Sequence, residues 1–385
     1  MAAIAPLVFV PLVAWSKDAA VVALFACAIA IVAWPSGRRA VVEARPAGWL
    51  AGLMLMGWGL ISLAWAPAGG AVLWGQVAMV VGAATVVVRG IDALDAQLTR
   101  HLAATFAAAV GLLALILFIE RVSGGGLIGL HRPDEPTARL FDVLSAGLAF
   151  LCCLTFPAAL ILAHLFRPSV GIAFAIAVFA LAVSYNMDAA PVALAFGGLV
   201  CGTALLGGRR VLVGLVLTLS CTALVWGVLA EAALAGGLGA WLERLFGANW
   251  SLRLGYWARV QELIGQAPLI GHGFGAGRVL GRPGEYDGPV PVPFMHPHNG
   301  VLELWLDLGL MGVALVATWT AAGARRILSS ANSPAVLATI AATIAVTSVF
   351  VLVSFSIWLG SWLSALGLII AAMALAAKLV DQRQS

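Results

Sequence analysis

The chain has 385 residues, of which 62% are hydrophobic and 10% are charged, and its mean hydropathy is +1.04. This balance excludes an ordinary soluble domain and predicts an all-α polytopic membrane protein. The formal net charge of +4 does not point to nucleic acid, because basic loops on the cytoplasmic side of a membrane account for it.

Apolar windows close to the length of a membrane span recur along the chain with short polar breaks between them. A helix needs about 20 mostly apolar residues to cross a hydrocarbon layer of about 30 Å. We therefore predict about twelve transmembrane helices. They lie near 3–16, 19–35, 47–65, 71–88, 102–120, 142–165, 169–184, 189–207, 209–230, 299–320, 334–354 and 357–377.

One long polar segment interrupts these windows late in the chain. It divides the chain into an N-terminal set of helices at 1–230, a loop that carries the motifs at 231–298, and a C-terminal set of helices at 299–385. The first apolar stretch lacks a basic segment in front of it, so we expect it to be retained rather than cleaved. All five cysteines fall inside predicted helices, which indicates neither a disulfide framework nor a cysteine metal site.

The distribution of basic residues predicts the orientation. With the N-terminus inside, the cytoplasmic segments hold most of the Lys and Arg, whereas the short outer loops hold only Lys17. Eight further arginines fall in two longer outer segments, 120–141 and 231–298. Long loops cross the membrane largely regardless of their charge. These arginines therefore agree with the topology but need another explanation.

The first outer segment, 120–141, is rich in Gly, Pro and charge and reads as a flexible loop. Its Arg132 and Arg139 either help to bind an anionic ligand or are simply solvated. In the second outer segment, residues 234–250 alternate Trp, Leu and Phe with charged residues, as expected of a short amphipathic helix in the membrane interface.

Residues 251–269 predict a helix that begins near Ser251 and ends before Pro268. Arg253 falls on its apolar face, so it either meets an anionic partner inside the protein or extends to water from the first turn. A guanidinium group suits phosphate oxygens because it can donate to two of them at once. The apolar face comprises Tyr256, Trp257, Val260, Leu263 and Ile264.

A run of alternating glycines follows, from Gly271 to Gly277, and Arg278 and Arg282 come directly after it. No predicted strand precedes the run, and no Lys followed by Ser or Thr comes after it. The run is therefore neither a dinucleotide-binding motif nor a P-loop. Glycines of this kind allow close backbone approach, and the basic residues could hold a pyrophosphate.

His296, His298 and Asn299 come just before an apolar helix whose N-cap is predicted at Asn299. Imidazole has an ordinary pKa that suits proton transfer near neutral pH. The alternatives are histidines with a purely structural role and a metal site. Further metal ligands would come from His272, Glu285 or Asp287, but this set has no recognised metal spacing.

His298-Asn299, nine further residues and Gly309-Leu310-Met311-Gly312 resemble the signature of the bacterial O-antigen ligase and polymerase superfamily. Arg-Leu-Gly-Tyr-Trp at 253–257 and Pro-Leu-Ile-Gly-His-Gly-Phe-Gly at 268–275 are similar to the pattern of that family as well. The motifs cover about 60 residues. The many-helix topology with a large late periplasmic loop extends the resemblance over most of the chain.

The resemblance implies a membrane glycosyltransferase of C-type-like (GT-C-like) architecture in the bacterial inner membrane, with its active site on the periplasmic side and no cofactor. The implied donor is a glycan on undecaprenyl pyrophosphate. Ligases of the family pass the glycan to lipid A-core, whereas polymerases pass it to another lipid-linked repeat. His298 matches the essential histidine of the family, and Arg253 matches an essential arginine.

A second family arginine normally follows a Ser near the middle of the chain, but here that stretch contains Asn186, Met187 and Asp188 instead. The candidate substitutes for this pyrophosphate contact are Arg278, Arg282 and Arg139. We expect His298 to act as the general base and Arg253 to stabilise the leaving pyrophosphate in an inverting, metal-independent transfer. We expect Asn299 to fix the His298 ring and Glu303 or Asp307 to tune it. His296 and Trp257 are further supporting residues.

The competing functional class is a transporter of lipid-linked glycans. Transport sites usually place ionisable residues or broken helices near the bilayer midplane. This sequence shows almost no such charge apart from Glu303 and Asp307, near the outer end of their helix, and Asp188 at a helix boundary. It also shows no inverted repeat. We therefore favour an enzyme.

Overall fold

The computed structural model describes residues 5–43, 49–131, 137–185, 187, 189–233, 237, 240, 249–279, 296–329 and 333–382. Fifteen α-helices and no strand occur in these ranges. The helices are α1 (Ala5–Leu12), α2 (Ala19–Ala33), α3 (Pro35–Glu43), α4 (Trp49–Ile61), α5 (Gly70–Asp92), α6 (Ala96–Val122), α7 (Gly126–His131), α8 (Thr137–Leu165), α9 (Pro168–Ser184), α10 (Ala189–Gly207), α11 (Arg209–Ala233), α12 (Asn249–Gln266), α13 (Gly300–Ser329), α14 (Pro334–Val353) and α15 (Gly360–Asp381).

Every predicted apolar window contains a helix. Within the described ranges, eight helices are long and apolar enough to cross a membrane, and a ninth span results if α2 and α3, bent by 98° at Trp34, form one unit. The prediction of an all-α, multi-pass membrane protein is confirmed. The number of twelve spans stays a prediction, because α1, α4 and α9 are shorter than a full span.

The expectation of a flexible loop at 120–141 is wrong for the residues that the structure describes there. Helix α6 continues to Val122, α7 follows within a few residues, and α8 begins at Thr137. The buried carboxylate of Glu120 accepts the Leu127 main-chain N–H at 3.1 Å, and Gly124 and Gly125 make the turn with positive φ. The predicted interfacial helix at 234–250 falls almost entirely outside the described residues.

The helices pack closely through small residues, as in many membrane bundles. Helix α10 lies against α14, and α5 lies against α15. A Cβ atom added at Gly197 of α10 would come within 2.5 Å of Val346 Cγ2 on α14. The glycine therefore lets the two backbones approach.

Helices α5 and α15 run side by side from one end of the bundle to the other. Near their starts, a Cβ added at Gly70 would meet the Phe274 carbonyl oxygen at 2.6 Å. At their far ends, Lys378 Nζ donates to the carbonyl groups of Ile91 and Asp92. The motif residues therefore lie at the opposite end of the bundle from Lys378.

Candidate active site

The segment that joins α14 to α15, residues 353–359, is here called the connector. Its main-chain carbonyl groups accept hydrogen bonds from three basic side chains that come from three different parts of the chain. Arg253 Nη1 donates to Val353 at 2.8 Å, His298 Nδ1 to Ser354 at 2.8 Å and Arg278 Nη2 to Trp358 at 3.2 Å. The connector therefore brings together the predicted catalytic pair and one of the predicted pyrophosphate-binding arginines.

Glu303, in the first turn of α13, holds the connector in place. Its carboxylate is fully buried and accepts from Ser356 Oγ at 2.7 Å and from the Ile357 main-chain N–H at 2.8 Å. Ser356 Oγ in turn accepts the Trp358 N–H at 3.2 Å. Glu303 therefore acts on the three basic residues through the connector, whereas the sequence predicted that Glu303 or Asp307 would tune His298.

Asp307, one turn further along α13, holds the glycine run. Its two carboxylate oxygens accept the main-chain N–H groups of Gly275 and Gly277, both at 2.9 Å. Gly275 directly precedes a single turn of 3-10 helix, Ala276–Arg278, which contains both Gly277 and Arg278. Asp307 therefore fixes the backbone of Arg278, while the connector binds its guanidinium group.

Helix α13 is broken at Gly309, where φ is 63° and ψ is −165°. The stretch 267–273 fits into the break: His272 N–H donates to the Leu306 carbonyl at 2.8 Å, and Leu310 N–H donates to the Pro268 carbonyl at 2.9 Å. Main-chain groups that a broken helix would leave unpaired are satisfied in this way. The break thus attaches the glycine run to the helix that follows His298.

The hydrogen bond to Ser354 decides the tautomer of His298. A carbonyl oxygen can only accept, so Nδ1 carries the proton and Nε2 of the neutral ring is left with a lone pair. Burial lowers the pKa of His298 below its ordinary 6.5; the hydrogen bond to Ser354 partly offsets this effect, and the charge of Arg253 adds to it. The ring is therefore neutral at pH 7 and can accept a proton at Nε2.

His298 also has a positive φ of 51°, which no other non-glycine residue in the described ranges shows. Such a backbone is disfavoured for residues with a side chain and tends to occur at functional sites. It allows the His298 N–H to donate to His296 Nδ1 at 3.2 Å, with the two rings 4.2 Å apart. His296 thus supports the backbone around His298.

His296 reports on the electrostatics of the site. Burial lowers its pKa to about 3, and the nearby positive charges of Arg278, Lys17 and Arg253 act in the same direction, as does His298 when it is protonated. Lys17 was not among the predicted site residues, although it is the basic residue that the sequence places in a short outer loop. The region around His296 is therefore positively charged and suited to an anion.

The prediction that Arg253 lies on the apolar face of its helix is confirmed. The five apolar residues of that face are all buried, and Arg253 is half-buried. Trp257 Nε1 donates to the Pro297 carbonyl at 2.7 Å, which fastens α12 to the stretch that contains both histidines. Helix α12 begins at Asn249, slightly earlier than the predicted Ser251.

Several predicted residues have other positions or cannot be placed. Asn299 caps α13 as predicted, but the His298 ring is oriented by Ser354 rather than by Asn299. Arg139 belongs to α8, and its side chain lies outside what the structure describes, as do Arg132, Arg282, Glu285 and Asp287. His272 Nε2 lies 2.7 Å from the Leu263 carbonyl, and no group of three or more potential metal ligands occurs among the described residues.

Sequence reasoning missed the connector. Val-Ser-Phe-Ser-Ile-Trp-Leu at 353–359 reads as a short turn between two apolar windows, and its contacts depend on main-chain carbonyl groups, which every residue has. The available signal was the pair Glu303 and Asp307, one turn apart on an apolar helix, because buried carboxylates need donors from another segment.

Part of the chain matches a known protein family. Residues 172–317 match the O-antigen ligase family model. This match confirms the resemblance of the chain to the O-antigen ligase and polymerase superfamily, whose members are membrane glycosyltransferases of ligase and polymerase type. The matched stretch contains Arg253, Arg278 and His298, whereas the connector lies beyond it. No curated protein matches the chain.

Proposed function

We propose that this protein transfers a glycan from undecaprenyl pyrophosphate to lipid A-core, with inversion and without a metal, at the periplasmic face of the bacterial inner membrane. The observation that carries the proposal is the arrangement at the connector. The same short segment fixes a neutral imidazole, whose proton is on Nδ1 rather than Nε2, and two guanidinium groups. An imidazole of this kind can accept a proton as a general base, and guanidinium groups can stabilise an anionic leaving group.

In the proposed reaction, His298 Nε2 takes the proton of an acceptor hydroxyl group. The hydroxyl oxygen attacks the anomeric carbon, the bond from that carbon to the pyrophosphate oxygen breaks, and undecaprenyl pyrophosphate leaves with the electron pair. Arg253 and Arg278 stabilise the charge that develops on the pyrophosphate. Both have carbonyl partners in the connector, so these contacts do not neutralise their positive charge.

An apolar cavity of about 720 Å³ adjoins the connector. Phe274, Ile357 and Trp358 line it together with residues of α4, α5, α13 and α15. Trp358 therefore lines the cavity and also accepts a hydrogen bond from Arg278 through its main-chain carbonyl group. A cation beside an apolar cavity suits a lipid with an anionic head group, as the proposed donor is.

The test is glycan transfer by purified protein in nanodiscs, with labelled undecaprenyl-pyrophosphate glycan and with lipid A-core as acceptor. We expect product on lipid A-core, and we expect EDTA not to abolish it. We also expect His298→Asn to lower turnover by roughly 10²–10⁴-fold, the usual contribution of a general base. Asparagine tolerates the positive φ of this position better than most residues.

The matched control is His101→Asn, which changes an exposed histidine on α6 and should leave turnover unchanged. A ladder of products formed without lipid A-core would make the protein a polymerase. Tight donor binding without any transfer would favour transport. Normal turnover by His298→Asn would contradict the proposed mechanism.

A further inference from the structure

Asn299 contains a buried hydrogen-bond donor that has no partner among the described residues. The side chain is 1% exposed, and its Oδ1 accepts the N–H groups of Val301 and Leu302 at 3.1 and 3.0 Å. Main-chain N–H groups require an acceptor, so this cap fixes which end of the carboxamide is the oxygen. Asn299 Nδ2 is therefore the group left without a partner.

Capping α13 does not require an asparagine. Ser, Thr and Asp cap helices about as well and would not leave an amide donor buried. In this chain, Asp95 caps α6 and Ser333 caps α14. Buried polar groups nearly always have a partner, so the extra donor of Asn299 indicates a ligand that brings an oxygen to this point.

The neighbours of Asn299 indicate which ligand oxygen that is. His298 precedes it directly, and in the proposed reaction the His298 ring receives the acceptor proton. Phosphate oxygens are better matched by charged donors, which Arg253 and Arg278 supply. A neutral amide suits a neutral hydroxyl oxygen. The position and the charge of Asn299 therefore both favour the acceptor over the pyrophosphate.

We propose that Asn299 Nδ2 donates a hydrogen bond to a hydroxyl oxygen of the acceptor sugar and so orients the neighbouring hydroxyl group toward His298. Asn299 then has two roles, because one end of its carboxamide caps α13 and the other binds substrate. This inference rests on the proposed function. It adds a residue that recognises the acceptor.

The test uses Asn299→Ser, which retains a capping oxygen but lacks the amide donor. Its KM for the acceptor is measured at saturating donor, and its KM for the donor at saturating acceptor, with the acceptor that the unsubstituted protein uses in nanodiscs. We expect the acceptor KM to rise about 10- to 100-fold, the range for a buried polar group that loses its partner. The donor KM and the melting temperature should stay unchanged. Asp95→Ser makes a comparable change at the cap of α6 and should alter neither KM.

An unchanged acceptor KM in Asn299→Ser would overturn the inference and leave the proposed function standing. A lower melting temperature with both KM values raised together would also overturn it, since Asn299 would then serve only as a cap. Absence of transfer by the unsubstituted protein would overturn the proposed function and this inference with it. Asn299→Asp is the second variant: it retains the cap and loses the donor, and normal acceptor KM in that variant would contradict the proposal as well.

Discussion

At the scale of single residues, the site is defined by what its basic groups bind. Arg253 and His298 donate to the carbonyl groups of two consecutive residues, and Arg278 donates to a third carbonyl of the same connector. An arginine paired with a carboxylate would have to give up that partner, or share it, when a phosphate binds. A carbonyl partner positions the guanidinium group without itself neutralising the charge.

The lowered pKa of His298 predicts the pH dependence of transfer. The ring must be neutral to accept a proton, so the rate is full above its pKa and falls as the pH drops through that value. Because burial lowers the pKa below 6.5, we expect the acidic limb of kcat/KM to lie below pH 6.5. The measurement is the pH profile of kcat/KM for the acceptor at saturating donor, which reports the base in the site without acceptor.

Arg253→Gln provides the comparison for this profile. It removes a positive charge that lowers the pKa of His298, so its residual activity should show the acidic limb at higher pH than the unsubstituted protein. An acidic limb at or above pH 6.5 in the unsubstituted protein would contradict the assignment of His298 as the base.

The sequence was informative for residues whose chemistry is rare in a membrane protein. His298, Arg253 and Arg278 could be identified because charge and imidazole stand out in an apolar chain, and the structure brings these three together. Ser356 and the connector carbonyls could not be identified, because their role depends on a position in space that no side-chain pattern records. Lys17 was visible in the sequence, but its proximity to His296 depends on how α1 and α2 pack.

At the scale of elements, the structure explains the glycines of the signature Gly309-Leu310-Met311-Gly312. Gly309 breaks α13 with a positive φ, and an added Cβ would lie 2.5 Å from the Leu269 carbonyl carbon and 2.6 Å from Gly271 N. At Gly312, an added Cβ would lie 2.2 Å from Leu308 Cβ. The two glycines thus permit the break and the close approach of the chain around it.

Gly309→Ala should therefore prevent the glycine run from entering the break. We expect a clear fall in melting temperature in detergent and loss of transfer, because the clashing atoms are backbone and cannot move aside. Gly323→Ala is the control: it lies in the same helix, and an added Cβ meets nothing within 4 Å. It should be neutral or stabilising by up to about 1 kcal/mol, the propensity difference between Gly and Ala in a helix. Equal melting temperatures for the two variants would contradict this role of Gly309.

At the scale of the whole molecule, the periodicity and length of the apolar windows were enough to locate the helices, since each window contains one. Bends and breaks were not predicted. The 98° bend between α2 and α3 and the break in α13 depend on what packs against them. A window length therefore predicts a helix more securely than it predicts a span.

The packing of helix ends makes the proposed orientation testable. Lys17 lies near His296, and Arg325, exposed near the end of α13, belongs to a segment predicted to be cytoplasmic. In a variant without native cysteines, a membrane-impermeant maleimide applied to cells with a permeabilised outer membrane should label Lys17→Cys and not Arg325→Cys. The reverse pattern would contradict the periplasmic location of the site.

The connector also determines how the site can move. Three groups from separate segments are attached to a single short link between α14 and α15, and Glu303 ties that link to α13. A displacement of this link would move all three attachment points together. The base and both anion-binding groups would then lose their alignment at the same moment.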